Sequence, residues 1–167
     1  DNLGNNWGYI GVIDSGKRIT HNMLDDDPTA WAGDCNQGGN TCWGDGSFPN
    51  GAAGRNYPHY DISDLRNHGT PILGVISGSA DLGTELRGIT RITTDHWKIG
   101  NVPSYDHVWR AIKQAIVSGD DVISNSYGGW ESHSSGRSPI AKTLDSAYNL
   151  GLIVIVANGN DACSAQA

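Results

Sequence analysis

Residues 152–161 read Leu152-Ile153-Val154-Ile155-Val156-Ala157-Asn158-Gly159-Asn160-Asp161. An unbroken apolar, largely β-branched run of this length fits a strand buried on both faces of a parallel sheet. Just upstream, Ser138-Pro139 supplies a helix cap and a first-turn proline. Ile140, Leu144, Ala147 and Tyr148 then make an apolar stripe, and Gly151 stands where a helix-terminating glycine belongs. Further back, Asp121-Val122-Ile123-Ser124-Asn125 reads as a second buried strand. It follows a helix capped by Ser104, with Val108, Ile112, Ala115 and Ile116 at helical spacing before Gly119. Tyr9-Ile10-Gly11-Val12-Ile13 opens the series as a third such strand. Strand, helix, strand, helix, strand is the grammar of a layered α/β fold.

Composition narrows the function. The 167 residues carry a net charge of −7, which argues against nucleic acid or an anionic membrane as partner. No apolar run approaches the roughly 18–20 residues of a membrane span. Between about Thr20 and Leu65 the periodicity dissolves into Gly, Asn and aromatic residues, so residues 21–64 read as a functional or inserted loop. Within it, Cys35 and Cys42 flank a Gly/Asn-rich segment. A local disulfide in an oxidising, secreted or extracellular setting accounts for them better than zinc, because no further ligands stand at metal spacing. Cys163 is either a buried thiol or half of a bridge to something beyond these residues.

Four segments carry chemistry. Asp14 leaves the first buried strand at its carboxyl end, where open α/β sheets gather their ligands. Taken alone it reads more readily as a turn cap. His68 opens Asn67-His68-Gly69-Thr70-Pro71-Ile72-Leu73-Gly74, a loop-to-helix entry in which Pro71 is harmless within the first turn. Ser126-Tyr127-Gly128-Gly129 follows the middle strand, and Ala157-Asn158-Gly159-Asn160-Asp161 follows the last. An Asn side chain there is able to donate to a developing oxyanion.

Asp-Ser-Gly on a first strand, His-Gly-Thr opening a helix, Ser-Tyr-Gly-Gly after a strand and Gly-Asn-Asp after the next resemble, in that order, the subtilisin-like serine proteases (subtilases). The likeness runs from about Trp7 to Asp161. It implies a three-layer α/β fold with a mostly parallel central sheet, of which residues 1–167 are the N-terminal part. It further implies Asp14 as triad carboxylate, His68 as general base and Asn160 as oxyanion donor. Ser126, Tyr127 and Gly128 become a segment that pairs with substrate backbone, and Ala157, Asn158 and Gly159 another wall of the specificity pocket. The implied activity is hydrolysis of peptide bonds in protein or peptide substrates, with no cofactor required for the chemistry. Relatives often bind calcium, so Asp25-Asp26-Asp27 reads either as a structural Ca²⁺ site or as a solvated loop.

The pattern also breaks. The family's nucleophilic serine sits in a Gly-Thr-Ser segment beyond the oxyanion Asn, and no Gly-Thr-Ser occurs here; Gly69-Thr70 and Gly83-Thr84 lead to Pro71 and Glu85. The expectation is that a separate C-terminal fragment of the same precursor carries the serine, cut free at the small-polar stretch ending in Ala167. Pro71 stands where the family commonly has a second His. Asp95, His96 and Trp97 lie on a strand that edges the substrate cleft in relatives, which implies an unusual peptide preference. Two rival readings are a catalytically inactive subtilase-like binding module and an unrelated α/β small-molecule binder. Joint retention of Asp14, His68 and Asn160 argues against the first. The lack of a phosphate-binding glycine loop after the first strand argues against the second.

Overall fold

The computed structural model describes residues 8–18, 21, 24, 29–35, 63–78, 87–90, 92–128 and 138–159. In chain order the elements are β1 (Ile10–Asp14), β2 (Thr29–Asp34), α1 (Gly69–Ser77), β3 (Thr94–Lys98), α2 (Tyr105–Ser118), β4 (Val122–Asn125), α3 (Pro139–Asn149) and β5 (Ile153–Val156). The strands form one sheet in the order β2-β3-β1-β4-β5, and every pairing is parallel. The fold is the layered α/β arrangement expected from sequence.

Strand periodicity divides the core between the two faces. On one face Val12 packs with Leu24 and Leu73, flanked by Ile10, Ile72 and Ile76, so α1 covers it. On the other, Ile13, Trp97 and Ile123 meet Val108, Ala111, Ile112 and Ala115 of α2 and Ala147 of α3. Sheet and helices thus make three layers.

The two longer helices begin and end as their sequences dictate. Ser104 accepts from His107 N–H, and the His107 ring answers the Ser104 N–H. Gly119 closes α2 in the left-handed region at φ 81°, which lets its own N–H reach the Ala115 and Ile116 carbonyls. Ser138 caps α3 through Ala141 N–H, with Pro139 in the first turn.

Two elements depart from the sequence reading. β2 lies inside the 21–64 region where no pattern was visible. Its Thr-Ala-Trp-Ala-Gly-Asp run lacks the β-branched signature, and pairing with β3 alone makes it a strand. β5 is not buried on both faces: Ile153, Ile155 and Val156 are 60%, 53% and 51% exposed. It is the last strand in the sheet order. Val154 points to the α3 side and packs on the core, while Ile153 and Ile155 face the α1 side of the sheet and stay exposed.

Beneath β1 lies a buried pair of acids. Asp95 and Asp120 are 0% and 3% exposed, and Trp97 Nε1 donates to Asp120 Oδ2 at 3.0 Å. Gly11 makes room for them, since a Cβ there would collide with Asp120 Oδ2. Burial, then the hydrogen bond and charge of Asp95, push the Asp120 carboxyl up to about 9, against the smaller pull of Trp97. Asp120 is therefore protonated at neutral pH and shares its proton with Asp95.

The unfolded chain releases that proton near the ordinary Asp value of 3.8, whereas the folded chain keeps it to about 9. This contribution to stability is complete below the lower value and is lost as pH rises through the upper one. Urea midpoints of the wild type should therefore fall between pH 5 and pH 9. Asp120→Asn, whose amide oxygen still accepts from Trp97, should flatten that slope.

Candidate active site

Asp14 is the last residue of β1, between β3 and β4. From β1 the chain first builds β2 and β3 to one side, then β4 and β5 to the other. β1 thus adjoins the topological switch point, where the carboxyl ends of parallel strands open a crevice. A cavity of about 180 Å³ occurs there, lined by Asp14, Ser15, Arg66, His68, Ile99, Gly100, Asn101, Pro103, Ser126, Tyr127 and Gly128. A larger hollow of about 560 Å³ runs along the outer side of α1 past Pro71, Gly74, Val75 and Ile89, and neither Asp14 nor His68 lines it.

The centre of the cleft is a dyad. His68 Nδ1 lies 2.8 Å from Asp14 Oδ1, with the imidazole 51% exposed and the carboxylate 3%. Ser15 N–H donates to the same oxygen at 2.7 Å. An ionised carboxylate accepts only, so Nδ1 carries the hydrogen and Nε2 is left basic toward the cleft. Gly69 lets α1 come this close, because a Cβ there would strike the Gly16 carbonyl and crowd the Asp14 side chain.

A second acid holds the dyad in place, and the sequence reading did not single it out. Asp64 is buried and accepts from the Ser15 hydroxyl at 2.8 Å, His68 N–H at 3.2 Å and Thr70 N–H at 2.9 Å. The Ser15 hydroxyl accepts in turn from Gly69 N–H at 3.2 Å. The helix-opening His68 makes no side-chain cap of its own, so Asp64 satisfies the first N–H groups of α1. Burial alone would raise the Asp64 carboxyl. The hydroxyl and N–H of Thr70, the Ser15 hydroxyl and the His68 N–H together bring it below its ordinary value. The available signal was an Asp just ahead of a helix start. Asn67 completes the turn in the left-handed region at φ 56° and accepts from the Arg18 guanidinium at 2.9 Å.

Ser126, Tyr127 and Gly128 line the cleft opposite His68. The Tyr127 hydroxyl does not point into it. That hydroxyl donates to Asn125 Oδ1 at 2.9 Å, Asn125 in turn donates to the Ile155 carbonyl at 3.0 Å, and burial pushes the phenol above its ordinary value. The buried Asn125 thus ties the cleft wall to β5. Ala157, Asn158 and Gly159 follow β5, are exposed and do not line this cavity; Ala157 N–H donates to the Asn125 carbonyl at 2.9 Å. Asn160 and Asp25-Asp26-Asp27 lie outside the described residues. Cys35 is disulfide-bonded, and Cys42 lies outside the described residues. Asp95, His96 and Trp97 are wholly buried, so they do not present side chains to the cleft. Among the described residues no group of three or more His, Cys, Asp or Glu side chains is arranged to hold a metal ion.

Residues 8–167 match the model of the subtilase family, Peptidase_S8. The chain belongs to the subtilase family. Subtilisin-like protease SBT3.4 of Arabidopsis thaliana is 28% identical over 197 residues, covering 94% of this chain and 26% of the relative. Subtilisin-like protease SBT4.10 of the same plant is 27% identical over 170 residues, covering 91% and 24%. The subtilase chain thus spans about a quarter of the length of these curated relatives. Its fold is shared with the nisin leader peptidase NisP from Lactococcus lactis, at a TM-score of 0.65 and 24% identity over 92% of this chain and 44% of that one. It is shared too with the epidermin leader peptide processing serine protease EpiP from Staphylococcus aureus, at 0.64 and 22% over 92% and 37%. These likenesses establish a portion of the subtilisin-like fold.

Removing the Asp64 carboxylate strips α1 of its cap. Asp64→Ala is expected to cost about 1–2 kcal/mol at pH 7. Because the folded-state value is depressed, this stabilisation is present above the ordinary carboxylate range and disappears as pH falls through it. Thermal melts of wild type and variant should differ at pH 7 and converge at strongly acidic pH.

Proposed function

We propose that this subtilase chain supplies the acid, the base and the oxyanion donor of a serine endopeptidase. The observation that carries the reading is the 2.8 Å contact between a buried Asp14 carboxylate and a half-exposed His68 at the sheet's switch point. In the proposed reaction a serine hydroxyl gives its proton to His68 Nε2 while its oxygen attacks the scissile carbonyl. Asp14 stabilises the imidazolium so formed and holds the ring's tautomer. The Asn160 amide donates to the oxyanion of the tetrahedral intermediate. His68 then passes the proton to the departing amine, and water, activated by the same imidazole, hydrolyses the acyl-enzyme.

In this reading Ser126, Tyr127 and Gly128 pair with the peptide backbone of the substrate, and Ala157, Asn158 and Gly159 add a further wall. In this reading the serine lies outside residues 1–167. Its support is that these residues hold no Gly-Thr-Ser segment. The Cys35 disulfide supports a secreted or extracellular setting, with Cys42 as the proposed partner.

The test uses the intact protein labelled with a fluorophosphonate and resolved under denaturing conditions by mass spectrometry. The expected label falls on a serine outside residues 1–167. His68→Ala should abolish labelling and cut hydrolysis of a peptide ester by about 10⁴-fold or more. Label on residues 1–167 themselves would overturn the placement of the serine. Undiminished hydrolysis in His68→Ala would remove that residue from its role. Peptide binding with neither label nor turnover would select the inactive binding module instead.

A further inference from the structure

We propose that Arg66 makes this cleft select an acidic side chain beside the scissile bond, an inference that rests on the endopeptidase reading. Among the described residues lining the cleft, the acidic and basic side chains are Asp14, His68 and Arg66, the walls opposite being Ile99, Gly100, Asn101, Pro103, Ser126, Tyr127 and Gly128. Asp14 is turned away from direct contact with substrate. Its carboxylate is 3% exposed, and Oδ1 is occupied by His68 Nδ1 and Ser15 N–H. Arg66 is exposed, on the turn between Asp64 and His68.

The nearest acid on that turn does not neutralise it. Asp64 is buried, and its oxygens accept from Ser15, His68 and Thr70. Among the described residues no carboxylate forms an ion pair with Arg66. Among the described residues, the exposed charge that a bound peptide meets at this rim is therefore the Arg66 guanidinium, although the whole chain carries −7. A guanidinium presents paired N–H donors whose spacing matches a carboxylate, so Glu or Asp fits it better than a neutral amide does, and Lys is repelled.

One exposed ion pair is worth about two- to fivefold, and the repulsion of a like charge is of similar size. The Glu-to-Lys preference at the affected position should therefore be about tenfold. The experiment uses the intact, serine-bearing enzyme and fluorogenic peptides with Glu, Gln or Lys placed singly at each position flanking the cleaved bond, read as ratios of kcat/KM. Wild type should favour Glu at one position. Arg66→Gln should bring that ratio toward one, and Arg66→Glu should invert it. Cleavage with the same ratios in all three enzymes, or a wild-type preference for Lys, would overturn the role of Arg66 and leave the endopeptidase reading standing. No cleavage of any peptide together with no fluorophosphonate label would overturn the endopeptidase reading, and the Arg66 inference with it.

Discussion

A carboxylate buried at the end of a strand is the constraint on which the rest of this site depends. Asp14 has almost no contact with water, so its charge must be met by protein donors. One is the Ser15 N–H, fixed by the chain itself; the other is the His68 ring, which α1 has to deliver. Delivery requires the helix to start within touching distance of the β1 exit, and Gly69 allows that approach. It also requires the start of the helix to be held without help from the His68 side chain. Asp64 does this from outside the helix and joins it to Ser15, so two acids and one hydroxyl lock strand end and helix start together.

The layered fold and the dyad were legible because each rests on local pattern. Ser104 and Ser138 cap their helices, Gly119 and Gly151 adopt left-handed backbone beyond them, and the apolar runs at 9–13 and 121–125 lie in the sheet. Asp14 and His68, far apart in sequence, were joined only by the resemblance of their flanking motifs, and the geometry places them in contact. What escaped was set by tertiary context. β2 has weak intrinsic preference and is a strand because β3 lies beside it. Asp64 resembles an ordinary loop acid until the end of β1 brings Ser15 against it. Asp95, His96 and Trp97 were expected at the cleft edge from the family resemblance, yet the sheet interior holds all three.

The two helical layers contribute unequally to chemistry. α2 and α3 cover the face where Trp97, Ile13 and Ile123 lie, and they present no side chain to the cleft. α1, on the other face, has the dyad histidine at its N-cap. The cleft is thus assembled from the loops after β1, β3 and β4 together with one helix start. The rigid sheet sets the strand ends, and Asn125 extends that rigidity to Tyr127.

The space above Gly11 has an evolutionary corollary. A carboxyl group from the α2–β4 turn occupies the volume that a side chain at position 11 would need. The two sites are therefore sterically interlocked: enlargement at one is tolerated only with a smaller residue at the other. Substitutions at 11 and 120 should consequently behave as a non-additive pair, each permissible in a background where its counterpart has already changed.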